Sequence, residues 1–291
     1  MLPASALNAL RRDALEALLR ERSTVLPHRA RPFAFPAIPE HTAPEEPVLW
    51  ARFASAGQVV CPEHFARLIL PSAAIGTREL EQYGEKLIAE LPAVLFPEDE
   101  DAFGGHLASL RDAGLRQVLT DNVYGITLAH RLGLKVHGGF GLNIANTQAL
   151  AFYAEQGLSS AVVSFELSME RIRALSGSLA RGVMAYGYLP LMRLRACPLR
   201  SANGCTCGGA PYLTDRRGVR FPMECAQKRY STLLNSVPLH IAERNMRGLD
   251  YLVLYFTIES PKECLQVIGE FKTRQKSTRP RTGGLYYREL L

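Results

Sequence analysis

The chain has no apolar run long enough to cross a bilayer: the longest, "YLVLYFTI", falls far short of the roughly 18–20 residues a span needs. Its opening, "MLPASALNALRRDALEALLRERS", carries arginines throughout and no continuous apolar stretch, so it does not read as a secretory leader. A cytoplasmic location is the expectation. There is no His-Glu-x-x-His pair and no Gly-x-Ser-x-Gly elbow, and the glycines of "GGFGLN" lack the spacing of a dinucleotide fingerprint. Those absences remove the simplest hydrolase and dehydrogenase signatures, although a triad assembled in space would leave no such trace. Cysteine is scarce as well, with six in 291 residues. A chain of this length buries a sizeable core without disulfide staples, and thiols in a reducing compartment stay reduced.

The composition that is present, 47% hydrophobic and 21% charged, is that of a globular protein. The net charge of +6 owes much to the end of the chain, "FKTRQKSTRPRTGGLYYREL", which is either a solvated tail or a surface for phosphates. Leu7, Leu10, Ala14 and Leu18 recur at helical spacing and predict a helix over residues 5–22, within an N-terminal segment 1–22. Residues 23–47 hold Pro27, Pro32, Pro36, Pro39, Pro44 and Pro47, a density that neither helix nor central strand tolerates, and read as an extended linker.

From residue 48 to the end, short strand-like runs alternate with helical ones. "VLWARFA", "FARLILP", "PAVLFP", "RQVLTD", "LKVHG", "SAVVSFE", "GVMAYGYLP" and "DYLVLYFT" are the strand candidates. "TRELEQYGEKLIAEL", "NVYGITLAHRLG", "NTQALAFYAEQG", "SMERIRALSG" and "SPKECLQVIGEFKTRQ" are helical, the last opened by Ser260 with Pro261 in its first turn. This alternation means an α/β fold with a parallel sheet, and about eight strands match a TIM-type (β/α)8 barrel, with a doubly wound open sheet as the alternative. The rhythm breaks between about residues 190 and 236, where an insertion follows a strand on the side where such folds keep their sites.

That insertion gathers four of the six cysteines. Cys197, Cys205, Cys207 and Cys225 give the spacing C-x7-C-x-C-x17-C. Four thiolates complete an iron–sulfur cluster or a tetrahedral zinc site; packed thiols or a disulfide are the plainer readings. Structural zinc sites favour cysteines two to four residues apart, which ranks iron–sulfur ahead of zinc. A turn at Asp215–Gly218 between "PYL" and "VRFPM" would bring Cys225 back toward Cys207. Residues at the predicted strand ends are the candidates for a site: Glu166 as the catalytic carboxylate, and His137, Asn143, Asn146, Tyr186, Arg193 and Arg195 as substrate ligands. Amides and a carboxylate fix polar ligands, and arginines grip carboxylate or phosphate. Plainer roles compete: caps for the asparagines and Glu166, a satisfied core imidazole for His137.

The strings "SFELSMERIRAL", "YGYLPLMRLRACPLR", "GCTCGG", "YLTDRRGVRFPMEC" and "TLLNSVPLHI" together resemble the C-terminal barrel of the long collagenase-like peptidases, family U32. "GGFGLNIANTQALAFYAEQGL", "TRPRTGGLYYREL" and "SALNALRRDALEAL" extend the resemblance over nearly the whole chain. The resemblance implies either a peptidase of unassigned catalytic type or, as in better understood relatives, oxygen-independent hydroxylation of tRNA, rRNA or a quinone precursor. It implies a 4Fe–4S cluster on Cys197, Cys205, Cys207 and Cys225, and prephenate as a co-substrate of the RNA-acting members. Long members carry a further barrel ahead of the linker, so a second barrel domain or subunit is an expected partner.

Overall fold

A computed structural model describes residues 3–25, 32, 34, 36–200, 211–226 and 229–287. The chain divides into two units, Met1–Ala37 and Ile38–Leu291. The first contains helix α1, Ala4–Ser23, built from strong helix formers with Arg20 and Arg22 in its last turn, where cations complement the helix dipole. None of its residues is buried, and Leu7, Leu10, Leu15, Leu18 and Leu19 are exposed.

In the second unit the alternation becomes a ring. Strands β1 (Val48–Arg52), β2 (Arg67–Pro71), β3 (Leu87–Glu90), β4 (Gln117–Thr120), β5 (Lys135–Gly138), β6 (Leu158–Val162) and β7 (Ala180–Gly187) pair in parallel, each with the next. Four antiparallel strands follow: β8 (Pro190–Leu194), β9 (Tyr212–Thr214), β10 (Arg220–Ala226) and β11 (Tyr230–Leu234), then the two-residue β12 (Leu239–His240) against β7. Strand β13 (Tyr251–Tyr255) pairs in parallel with both β7 and β1 and closes an eight-stranded parallel barrel. Helices α2 (Thr77–Tyr83), α3 (Glu100–Asp112), α4 (Val123–Arg131), α5 (Thr147–Glu155), α6 (Met169–Arg173) and α7 (Pro261–Lys272) follow β2 to β6 and β13 in turn. The fold is thus a TIM-type barrel in which short 3-10 turns replace the helix after β1, and the antiparallel sheet stands where a helix would follow β7.

Two of the expected elements shift. The helix read over "TRELEQYGEKLIAEL" ends at Tyr83, because Gly84 adopts φ 49° and stops it. The short apolar run "LIAE" that follows is the third barrel strand, and "PAVLFP" is the loop after it. Part of the proline-rich stretch belongs to the barrel unit: Gly177 N donates to Pro39 O over 2.8 Å, and His41 Nε2 lies 2.8 Å from Asp250 Oδ2.

The core has two layers. Trp50, Ile69, Ile88, Leu119, Val162, Tyr251 and Val253 pack inside the barrel, and a larger set fills the space between strands and helices. Each large apolar side chain buried this way contributes about 1.5–3 kcal/mol. Inside, the Tyr251 ring stacks on Trp50 with centroids 4.0 Å apart. Among the described residues, no helix is long and apolar enough to cross a membrane.

Candidate functional site

Parallel strands deliver all their C-terminal ends to one face, and there the chain turns charged. Arg52 ends β1, Glu90 ends β3, Tyr255 ends β13, and Asp121 follows β4. Arg52 Nε and Nη2 donate to Glu90 Oε2 over 2.9 and 2.8 Å, and Nη1 donates to Phe256 O over 3.0 Å. Tyr255 OH donates to Glu90 Oε1 over 2.5 Å, and the Arg52 guanidinium lies 4.6 Å from the Tyr255 ring centroid. The antiparallel sheet comes down onto this group from outside. Glu224 of β10 accepts from Arg52 over 3.3 Å, and Arg193 of β8 reaches Asp121 over 3.2 Å. Barrel mouth and sheet together enclose a cavity of about 760 Å³.

Burial dominates the electrostatics. It would lower the Arg52 pKa, but Glu90, Tyr255 and Glu224 carry it well above the ordinary value, so Arg52 is a permanent cation. Burial raises the Asp121 pKa, and Glu90 adds to the rise against the Gly141 N–H and Arg193. The Asp121 anion is therefore disfavoured relative to an exposed carboxylate. Burial also raises the Tyr255 hydroxyl well above its ordinary value, with Arg52 opposing and Glu90 reinforcing.

Each arginine on the cavity wall already has a carboxylate partner: Arg52 has Glu90 and Glu224, Arg193 has Asp121, and Arg229 has Asp99 and Glu98. The mouth is balanced in charge rather than a collector of anions. Phe103, Phe140, Tyr188, Tyr230 and Tyr255 supply flat apolar wall.

The residues singled out from sequence divide into two groups. Glu166, Asn143 and Arg193 come together around a smaller cavity of about 250 Å³ beside the main one, with Phe140 and Met192, and Arg193 lines both. Cys225 lines the main cavity. Arg195 lies outside it, its guanidinium 4.6 Å from the Phe96 ring centroid and 3.8 Å from Glu98. Asn146 caps α5, its Oδ1 accepting from Ala149 N over 2.8 Å. Tyr186 is buried in the outer core and donates to Glu259 Oε1 over 2.9 Å.

His137 is buried inside the barrel and lines neither cavity. Gln117 Nε2 donates to Glu85 O, which turns Gln117 Oε1 toward His137 Nε2, 3.0 Å away. His137 Nδ1 is then the acceptor for the Ser160 hydroxyl at 2.8 Å, and Ser160 in turn accepts from Tyr251 OH at 3.3 Å. Every polar atom of the imidazole is paired without charge, and burial lowers its pKa to about 3. A core imidazole serving the fold is the physical outcome.

Of the four clustered cysteines, Cys197 and Cys225 are free thiols, while Cys205 and Cys207 lie outside the described residues. β8 and β10 both run antiparallel to β11, so they point the same way. Ser231 pairs with Leu194 on one side and Cys225 on the other, which puts the end of β8 level with Cys225, and Cys197 follows three residues later in the chain. Met223 N donates to Pro211 O over 2.8 Å, and Arg200 N to Cys197 O over 3.1 Å. The expected hairpin is present: β9 and β10 are joined through Asp215, whose N and O bond Val219 and Gly218.

The model of the family described as Peptidase family U32 matches residues 73–205. The match covers a little under half of the chain. The matched segment carries Glu90, Asp121, Glu166 and Arg193 and ends at Cys205. No curated protein matches the chain. Among solved structures, the U32 peptidase Mk0906 is similar at 12% identity over 54% of this chain and 75% of that one, with a TM-score of 0.41. A structure described as native KDPGal is similar at 19% identity over 47% of this chain and 71% of that one, with a TM-score of 0.33.

Arg52, Glu90, Asp121, Glu224 and Tyr255 were not among the sequence candidates. The signal was present: "VLWAR", "LIAE" and "VLTD" each put a charge at the C-terminal end of an apolar strand, where barrel sites gather.

Proposed function

We propose that the chain is an iron–sulfur enzyme, or the catalytic subunit of one, that hydroxylates an aromatic substrate without oxygen, with a base of tRNA or rRNA as the favoured target. The observation that carries this reading is Cys225 on the wall of the barrel-mouth cavity, one residue from Glu224, which holds Arg52. The donor set suits the group: Cys225 lies level with the end of β8, Cys197 follows three residues after that strand, and Cys205 and Cys207 fall in the segment between them. These four thiolates would hold a 4Fe–4S cluster, which supplies one-electron transfer when bound.

The remaining steps belong to the chain's own side chains. The aromatic wall of Phe140, Tyr188 and Tyr230 suits a flat ring, with the antiparallel sheet covering one side of the cavity. Asp121, whose pKa burial raises, is placed on the cavity wall to serve as general acid. When Asp121 is neutral, Arg193 is released to bind a carboxylate, which accommodates a dicarboxylate co-substrate such as prephenate.

Peptide hydrolysis with a structural metal is the second reading, favoured by the family and by two carboxyls, Glu90 and Asp121, on one cavity. Anaerobic purification with iron, sulfide and zinc analysis separates the two. About four irons per chain, lost in Cys205→Ala and Cys207→Ala, is the expected result. About one zinc with peptide cleavage that survives its removal would install the peptidase instead, and a metal-free chain would remove the thiol site altogether.

A further inference from the structure

At the opposite end of the barrel, the connection from β1 to β2 makes the second of its two 3-10 turns, Pro62–His64, three residues ahead of β2. Cys61 caps that turn with φ 49° and ψ 49°, and Pro62 stiffens its start. His64 N donates to Cys61 O over 3.1 Å, which closes the turn and holds the two residues together. Glu63 joins them: donor atoms of Cys61, Glu63 and His64 all lie within 4.8 Å of one another, the one such group of three among the described residues.

We propose that Cys61, Glu63 and His64 form a binding site for a zinc-class divalent cation, with the ammonium of Lys272 holding the place of the ion in its absence. Three observations meet here. The donors are a thiol, a carboxylate and an imidazole, the mixed set that borderline-soft divalent ions take, with a fourth position left for water. Glu63 Oε1 and His64 Nε2 are 3.4 Å apart. Two ligands at about 2.0–2.1 Å from a tetrahedral zinc sit about 3.4 Å from each other, so this pair already has the required separation. Lys272, the last residue of α7, donates from Nζ to His64 Nε2 over 2.8 Å.

That third contact defines the site's chemistry. A nitrogen that accepts from an ammonium has its lone pair free and directed outward, as a metal ligand must. Lys272 is exposed at a helix end, so its side chain can leave without disturbing the core. The exchange is electrically sensible: a thiolate and a carboxylate together neutralise a divalent ion, whereas Lys272 offers a single charge. The lysine is therefore a tethered competitor, and its removal strengthens metal binding.

The test is a zinc titration of the full chain against a chromophoric chelator, read as equivalents per chain and the affinity of each. Cys61→Ser and His64→Ala are each expected to lose one equivalent, and Lys272→Met to tighten that equivalent about tenfold or more. An unchanged count in both donor variants would overturn the proposal. So would an affinity that Lys272→Met weakens or leaves as it was, and this exposed position keeps the test decisive should a donor variant fold poorly. Zinc held by the thiols of the β8–β11 sheet stays in all three variants, so this result and the iron analysis above stand or fall separately.

Discussion

Glu224 Oε1 lies 3.3 Å from both Nη1 and Nη2 of Arg52, so a strand from the antiparallel sheet completes the charge balance of a residue that ends the first barrel strand. Sheet and barrel mouth are thereby joined electrostatically across the cavity they line.

Arg52→Met is expected to destabilise the protein by about 3–5 kcal/mol, because it strands Glu90, whose side chain is 12% exposed, as an unpaired buried carboxylate. Glu224→Gln keeps a hydrogen-bond acceptor on the more open side, and about 1 kcal/mol is expected there. Urea midpoints at neutral pH, compared at constant slope, measure both.

Asp121 has a folded pKa above its ordinary value of 3.8 because burial and Glu90 disfavour the anion. The folded state therefore holds the proton more tightly than the unfolded chain. Its stabilising contribution is full below the ordinary value and is lost as pH rises through the raised one. Asp121→Asn should abolish this component, giving a flatter stability profile from mildly acid to neutral pH. The same variant should lose turnover with little change in substrate affinity if Asp121 delivers the proton.

His137 works in the opposite sense. Its folded pKa of about 3 lies below the ordinary 6.5, so the unfolded chain takes up a proton that the folded chain refuses. The contribution is complete above pH 6.5 and falls by about 1.4 kcal/mol for each unit below it. His137→Asn is expected to remove that acid slope and to lower stability at pH 7 by about 1–3 kcal/mol, since Ser160 and Gln117 lose their partner. Stability measured between pH 4 and 7 in the two proteins isolates the difference.

Two glycines should respond with opposite signs. A Cβ at Gly182 would meet the Tyr251 ring at 2.2 Å, where that ring stacks on Trp50, so Gly182→Ala should cost about 1–3 kcal/mol through forced repacking. Gly105 lies inside α3 with nothing within 4 Å of an added Cβ. Gly105→Ala is expected to stabilise by about 0.5–1 kcal/mol. Thermal midpoints of both variants decide it.

The elements of the barrel were largely legible in the chain. Apolar runs such as "VLWAR" and "LKVHG" between amphipathic segments marked strands and helices because side-chain period is a local property. The third strand was the exception. "LIAE" is too short for periodicity to distinguish from the end of a helix, and only the backbone at Gly84 settles where the helix stops. The clustered thiols and the Asp215 turn were equally visible, since both are patterns in neighbouring residues.

What the linear sequence determined on its own was the α/β alternation, the interruption after the seventh strand and the grouping of four cysteines in it. Ring closure is different, because β13 must find β1 across about 200 residues and no local pattern records that pairing. With closure came the identity of the mouth. Arg52, Glu90, Asp121, Glu224 and Tyr255 are far apart in the chain and become partners only when eight strands end on one face and a sheet folds over it. The same closure turned His137 inward to Ser160 and Gln117, since a strand residue one position from the mouth meets the barrel's interior rather than solvent. Burial and charge at a site are sums over neighbours from many segments, and only the folded chain brings those neighbours together.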